Sequence, residues 1–299
     1  MDGSEAHRSK AHAPLNLRMP QVQMLPLVLA SPHSGTDYPR DFVRASRLDP
    51  IALRRSEDSF VDEIFAAAPE LGAPLLAARF PRAYVDVNRE AFELDPTMFT
   101  DTLPDFVNAR SPRVRMGLGT IARIVASGEE IYSRKLSFAE AKHRIEALYH
   151  PYHQALRGLL DDTAASFGGY LLIDCHSMPS AASAVGGQDP ADIVLGDCHG
   201  TTCARPIIEA AQHFLTERGL AVAINSPYAG GFTTGHYGHP QFGRHALQIE
   251  INRSLYMDER NYRRRPALAR LAGDMAELIV CLAGIAQDCI GVPRLNAAE

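Results

Sequence analysis

The stretch Tyr170-Leu-Leu-Ile-Asp-Cys-His-Ser-Met-Pro179 constrains this chain more than any other. Its short apolar run, preceded by Gly168-Gly169 and closed by Pro179, has the length and punctuation of a buried strand. Polar residues crowd its C-terminal end, where open α/β sheets hold their ligands. An earlier stretch, Leu25-Pro-Leu-Val-Leu-Ala-Ser-Pro-His-Ser-Gly35, has the same grammar: an apolar strand that stops at a histidine followed by serine. Two such strands would deliver His33 and His176 to one sheet edge, which points to a metal site.

The segments around these two strands predict the rest of the sheet and its covering helices. A helical pattern runs from Asp49-Pro50 to about Ala68, with Ile51, Phe60, Val61, Ile64 and Phe65 on its apolar face. Ala73 to Phe80 reads as a second strand. Ala83 to Asn88 reads as a third, with Tyr84, Asp86 and Asn88 alternating against Val85 and Val87. Residues 91–120, rich in Pro and Gly, form a long irregular excursion of the kind that often carries function. Ser137-Phe-Ala-Glu140 has the form of a capping box and opens a helix to about Ser166, with Pro151 as a kink.

After the central strand come a small-residue loop at 180–187, a strand at Ile193 to Leu195 and a helix from Arg205 to Glu217. A strand at Leu220 to Ile224 leads into a Gly-rich loop to Pro240. His245 to Arg253 is the last strand, and Pro266 to Ile290 a closing helix. Strands alternating with helices predict an α/β fold, a three-layer α/β/α arrangement. The expected organisation is one domain over residues 24–299 behind a mobile polar tail, residues 1–23.

Bulk properties exclude several classes. A net charge of −5 argues against a nucleic-acid partner, which calls for a basic surface. The longest apolar stretches are too short and interrupted to span a membrane. The five cysteines, Cys175, Cys198, Cys203, Cys281 and Cys289, show no paired spacing, and the N-terminus lacks a signal-peptide core. Reduced thiols and a cytoplasmic location are the expectation.

A catalytic zinc site takes three nitrogen, oxygen or sulfur ligands and leaves a position open. His33, an acid near position 58 and His176 would supply two imidazoles and a carboxylate. Each histidine alone reads equally as a hydrogen-bonded residue at a strand end. Glu250 lies in the otherwise apolar Ala246-Leu-Gln-Ile-Glu-Ile, where a carboxylate is costly unless it is paired or functional. It is the candidate general base; the alternative is that it faces solvent or pairs with Arg253. His236, in the Gly-rich loop, is a second catalytic candidate. Arg82, Arg89 and Arg253, with Asn88 beside Arg89, could grip substrate carboxylates by two-pronged contacts or form ordinary ion pairs. His150 and His153 have helical spacing and could be ligands, cap the kink or pack near the site. Cys175 points away from His176, to the opposite sheet face.

Taken together, the blocks around His33, Glu57-Asp58-Ser-Phe-Val-Asp62, Arg82-Ala-Tyr-Val-Asp86-Val-Asn88-Arg89, Asp174-Cys-His176-Ser-Met-Pro, Asp192-Ile-Val-Leu-Gly196, Gly230-Gly-Phe-Thr-Thr-Gly-His236-Tyr-Gly and Leu247-Gln-Ile-Glu250 resemble the N-formylglutamate amidohydrolase family, in its order. The resemblance implies a zinc-carboxypeptidase-like mixed sheet with one Zn2+ per chain at the C-terminal strand ends. It implies His33, Asp58 and His176 as ligands, with Glu57 as the alternative acid. Glu250 then falls at the position of the catalytic glutamate, and Asn88-Arg89 looks like a carboxylate-binding pair. The implied reaction is hydrolysis of N-formyl-L-glutamate to formate and L-glutamate, of the histidine-degradation type.

Three positions depart from the family pattern: Asn252 before Arg253, His199, and Gly235 where arginine is usual. Alternatives to the implied reaction are another N-acyl amino acid or short peptide as the small-molecule substrate, and a non-catalytic anion-binding protein.

Overall fold

The computed structural model describes residues 13–182 and 191–290. Its sheet is built around β4 (Tyr170–Met178), all nine residues of which are buried. That burial explains the near-continuous apolar run: a parallel strand covered on both faces has no solvent side to alternate with. β2 (Leu27–Ser31) and β7 (Arg244–Asn252) flank it in parallel. The full order is β1 (Leu15–Arg18), β3 (Leu75–Ala78), β2, β4, β7, β5 (Ile193–Gly196), β6 (Val222–Ile224). β1 runs antiparallel to β3, and β5 antiparallel to β7, so the sheet is mixed.

The helices are α1 (Arg40–Ala45), α2 (Pro50–Leu53), α3 (Val61–Ile64), α4 (Pro112–Arg115), α5 (Phe138–Arg144), α6 (His150–Phe167), α7 (Arg205–Glu217), α8 (Phe232–Tyr237) and α9 (Ala267–Ile290). Leu171, Ile173 and Cys175 of β4 and Leu247, Ile249 and Ile251 of β7 pack against α3, α7 and α9. The opposite face, from Val28, Leu76, Leu172 and Ala246, packs against α6 and the irregular excursion. The three-layer α/β/α expectation holds. No helix among the described residues is long and apolar enough to cross a membrane.

Local departures from the sequence reading have identifiable causes. Part of the expected tail, Leu15–Arg18, is an edge strand covering the free side of β3, with Leu15 packed on the core. A four-residue strand with half-exposed positions leaves little periodic signal, and an uncovered edge is itself a liability. Residues 1–12 lie outside the described residues, as does most of the 180–187 loop. The single helix expected over 50–68 breaks after Ser56: Glu57 is extended and Phe60 is left-handed, with φ 68°. The break lets the Asp58 N–H donate to the His33 carbonyl at 3.0 Å.

Ala83–Asn88 forms turns and bends rather than a strand, and Asp86 and Asn88 are buried along with Val85 and Val87. A π-helical turn, Ile145–Tyr149, precedes Pro151, whose missing N–H and crowding of the preceding carbonyl interrupt the regular α-helical bonding there. The Gly-rich loop folds into α8 over Phe232–Tyr237.

The entry into β4 depends on two glycines. Gly168 ends α6 with φ 83°, and a Cβ on Gly169 would overlap the Gly243 carbonyl oxygen. Gly169→Ala should therefore destabilise the fold by about 1–3 kcal/mol, the usual cost of overpacking. Gly158→Ala, in the middle of α6 with nothing near its Cβ, should stabilise by about 0.5–1 kcal/mol. Thermal melts of the two variants should shift in opposite directions; a Gly169→Ala protein melting at or above wild type would contradict the packing described.

Candidate metal centre and substrate cleft

His33 follows β2, His176 stands on β4, and Asp58 is delivered by the broken helix. All three are buried. The Nδ1 atoms of the two rings face one oxygen: Asp58 Oδ2 lies 3.3 Å from His33 Nδ1 and 3.1 Å from His176 Nδ1. The three residues can place their ligand atoms within 4.8 Å of one another. His33 Nδ1 is buried without a hydrogen-bond partner, a costly state for a polar nitrogen unless something else meets it. A cation shared by these atoms would meet it, so the donor set fits a metal ion. Glu57 is engaged elsewhere, by Arg54 at 2.7 Å and by Tyr38 at 3.1 Å.

The far sides of the rings are held by carboxylates. His33 Nε2 lies 2.8 Å from Asp86 Oδ1, and His176 Nε2 lies 2.9 Å from Asp174 Oδ1. This carboxylate–histidine pairing orients a ligand and raises its basicity. Asp174 shares a sheet face with His176 because the two are two residues apart on a strand. Neither Asp86 nor Asp174 had a role in the sequence reading, though that i, i+2 relation was available. Burial alone would raise the pKa of Asp86, but Arg82, Arg89 and His33 hold it well below the ordinary carboxylate range. Burial would likewise raise Asp58, and the hydrogen bond from His176 with the charges of His33 and Arg253 brings it well down.

Glu250 is the register partner of His176 across the β4–β7 pair. It lines the same cleft, and its Oε1 accepts from Gln248 Nε2 at 3.0 Å. Burial is the main cause that pushes its pKa up to about 7, reinforced by Asp58 and Asp174 and opposed by His176 and Arg82. A carboxyl poised there can exchange protons at neutral pH.

The cleft encloses about 600 Å³. Arg82, Asn88 and Arg89 line it as anticipated, joined by Arg113, Tyr228 and an apolar wall from Met116, Leu118, Ala122 and Ile124. Arg82 Nε donates to Asp86 at 2.9 Å. Arg89 donates to the Leu118 and Asn88 carbonyls at 2.8 and 2.6 Å, and Nη2 lies 3.5 Å from Asp86. Burial, with the nearby charges of Arg82 and Arg113, pulls the Arg89 pKa down to about 10, still charged at neutral pH.

Two further expected site residues stand in settings of their own. Arg253 is buried and spends its donors on the protein: Nη2 on Asp58 at 2.9 Å, Nε on Ser177 at 3.1 Å and Nη1 on the Arg55 carbonyl at 3.1 Å. It lines the cleft and orients the Asp58 carboxylate. His236 is exposed, stacks on Phe232 at 4.9 Å, and lines a separate depression with His150 and Arg157. Folding the Gly-rich loop into α8 turns its side chain away from the cleft.

The Tyr149-His-Pro-Tyr-His153 segment reaches the site from behind. Tyr149 donates to the Arg89 carbonyl at 2.7 Å, and His153 Nε2 to the Val87 carbonyl at 2.8 Å. Burial takes the His153 pKa down to about 4, so the ring is neutral. The π-helical turn ending at Tyr149 aims both side chains at the backbone that carries Asn88 and Arg89.

Comparison with known proteins shows the family. The family model for N-formylglutamate amidohydrolase matches residues 25–257. An N-formylglutamate deformylase of Pseudomonas putida is 30% identical over 238 residues, covering 79% of this chain and 83% of the relative. One from Pseudomonas aeruginosa is 29% identical over 239 residues, with the same coverage. The crystal structure of an N-formylglutamate amidohydrolase from Ralstonia eutropha superposes with a TM-score of 0.84 at 40% identity, covering 92% of this chain and 98% of that one. A gene product of Agrobacterium tumefaciens, 18% identical with a TM-score of 0.63, shares the fold over 91% of this chain and 96% of its own. With a family model spanning both histidines, Asp58 and Glu250, the chain belongs to the N-formylglutamate amidohydrolase family.

Proposed function

We propose that this chain is a zinc-dependent amidohydrolase that cleaves N-formyl-L-glutamate to formate and L-glutamate, a reaction of histidine degradation. The observation that carries the reading is the convergence of His33 Nδ1 and His176 Nδ1 on Asp58 Oδ2, with Glu250 in register beside His176. A zinc ion held by His33, Asp58 and His176 would supply a Lewis acid to polarise the formyl oxygen and make water more acidic. Glu250 accepts a proton from the attacking water as the C–O bond forms. It returns that proton to the departing nitrogen as the C–N bond breaks. Arg82, Asn88 and Arg89 hold substrate carboxylate, and Arg253 keeps Asp58 aimed. The names of the Pseudomonas and Ralstonia relatives support the substrate. The size of the cleft, with its apolar wall, favours a second reading in which larger N-acyl groups or short peptides are accepted. A formate-release screen across N-formyl amino acids, run beside longer N-acyl glutamates, separates the two.

The ligand assignment is tested by metal content. Asp58→Asn and His176→Ala should each lose bound zinc while the sheet, judged by circular dichroism, persists. Glu57→Gln should keep its metal, since Glu57 is tied to Arg54. Full zinc occupancy in Asp58→Asn would remove Asp58 from the set.

The base is tested by pH dependence. Glu250 must be deprotonated to act, so activity should be present above its pKa and fall as pH drops through it. The inflection should lie at or below about 7, because a bound cation lowers the value set by burial. Glu250→Gln should lose roughly 10²–10⁴-fold in kcat with zinc content unchanged. Near-normal turnover in that variant would place the base elsewhere.

A further inference from the structure

Of the guanidinium groups that line the cleft, three are matched by buried carboxylates: Arg82 and Arg89 by Asp86, and Arg253 by Asp58. Arg113 is not. The one hydrogen bond of its guanidinium among the described residues is a long contact, 3.5 Å from Nη1 to the Asn88 carbonyl. Its backbone, however, is fixed. Ser111 caps α4 by accepting from the Val114 N–H at 3.0 Å and donates its own hydroxyl to Glu93. Val114 is buried, and the Arg113 carbonyl accepts from Leu118 at 2.8 Å. A cation with spare donors, held on a pinned backbone at the wall of a substrate cleft, is arranged to receive an anion.

From this we infer that Arg113 is a specificity residue that takes the side-chain carboxylate of the substrate, while Arg82, Asn88 and Arg89 take the α-carboxylate. The inference rests on the proposed hydrolysis of N-formyl-L-glutamate and deepens it by naming the residue that selects for the second carboxylate. Asn88 and Arg89 sit beside His176, with Asn88 Nδ2 at 3.2 Å from His176 Nε2. They therefore meet the carboxylate nearer the scissile amide. Arg113 meets that pair only at the Asn88 carbonyl, and among the described residues no hydrogen bond or ion pair ties it to His176, so it is left for a second carboxylate on a longer arm of the substrate. The apolar wall of Met116, Leu118 and Ile124 runs alongside and suits the methylene groups between the two carboxylates.

The test compares Arg113→Met, Arg113→Lys and a control, Arg115→Met, whose arginine is exposed and bonds only the Arg110 carbonyl. The readout is the ratio of kcat/KM for N-formyl-L-glutamate to that for N-formyl-L-glutamine. In Arg113→Met this ratio should fall by roughly 10- to 100-fold, the value of one charged hydrogen-bonded contact. Lysine should restore part of it, and Arg115→Met should keep the wild-type ratio. An unchanged ratio in Arg113→Met overturns the assignment. Failure of the wild-type enzyme to hydrolyse N-formyl-L-glutamate overturns the proposed reaction instead. Calorimetric binding of glutarate to the zinc-loaded wild type and to Arg113→Met then decides the role of Arg113 without catalysis. Weaker binding to the variant supports it, and equal affinity or no binding to either protein overturns it.

Discussion

The structure turns on the buried carboxylate of Asp58. One oxygen faces both imidazoles, and the other accepts from Arg253 at 2.9 Å, with Ser177 at 3.3 Å. A lone buried carboxylate would be expelled or protonated, so its position requires these partners. The partners come from three places in the chain, the end of β2, β4 and the turn after β7, and the broken helix brings Asp58 to them. Asp58 thus fixes how the C-terminal strand ends meet, and the break in the helical pattern at residues 57–60 is the backbone cost of bringing it there.

A second carboxylate links that centre to the cleft. Asp86 orients His33 through one oxygen and receives Arg82 through the other, with Arg89 nearby. The groups that would hold a metal and those that would hold substrate therefore share one hydrogen-bonded network, in which each charge is answered by another at short range. Behind it, Tyr149 and His153 grip the backbone of residues 87–89. The chain of contacts runs from α6 through the Asn88-Arg89 turn to the ring of His176. Among the described residues, the positive charge in the cleft lining that no carboxylate answers is at Arg113.

Much of this was legible because two kinds of pattern leave clear traces. A fully buried parallel strand must be apolar throughout, so β2 and β4 announced themselves, and a polar residue at the end of such a run needs a reason. Alternation placed Glu250 on the face of His176 before the register was known. The i, i+2 relation of Asp174 to His176 and of Asp86 to Asn88 was equally visible, but a role for those acids required knowing which ring they met. The settings of Arg253 and His236 were not legible, for one shared reason. An arginine after a strand and a histidine in a glycine-rich loop have several possible partners, and which one is realised depends on elements far away in sequence.

The sequence alone determined the layer architecture, the strands that form the centre of the sheet, and the residue types gathered at its C-terminal edge, because burial and alternation are written in local composition. Tertiary structure decided which groups face one another. Only the fold could bring Asp58 rather than Glu57 between two histidines, tie Arg253 to it, turn His236 outward on α8, and leave Arg113 at the cleft wall without a carboxylate. Those outcomes depend on distances between segments as far apart as residues 58 and 253, and short-range propensity carries no information about them.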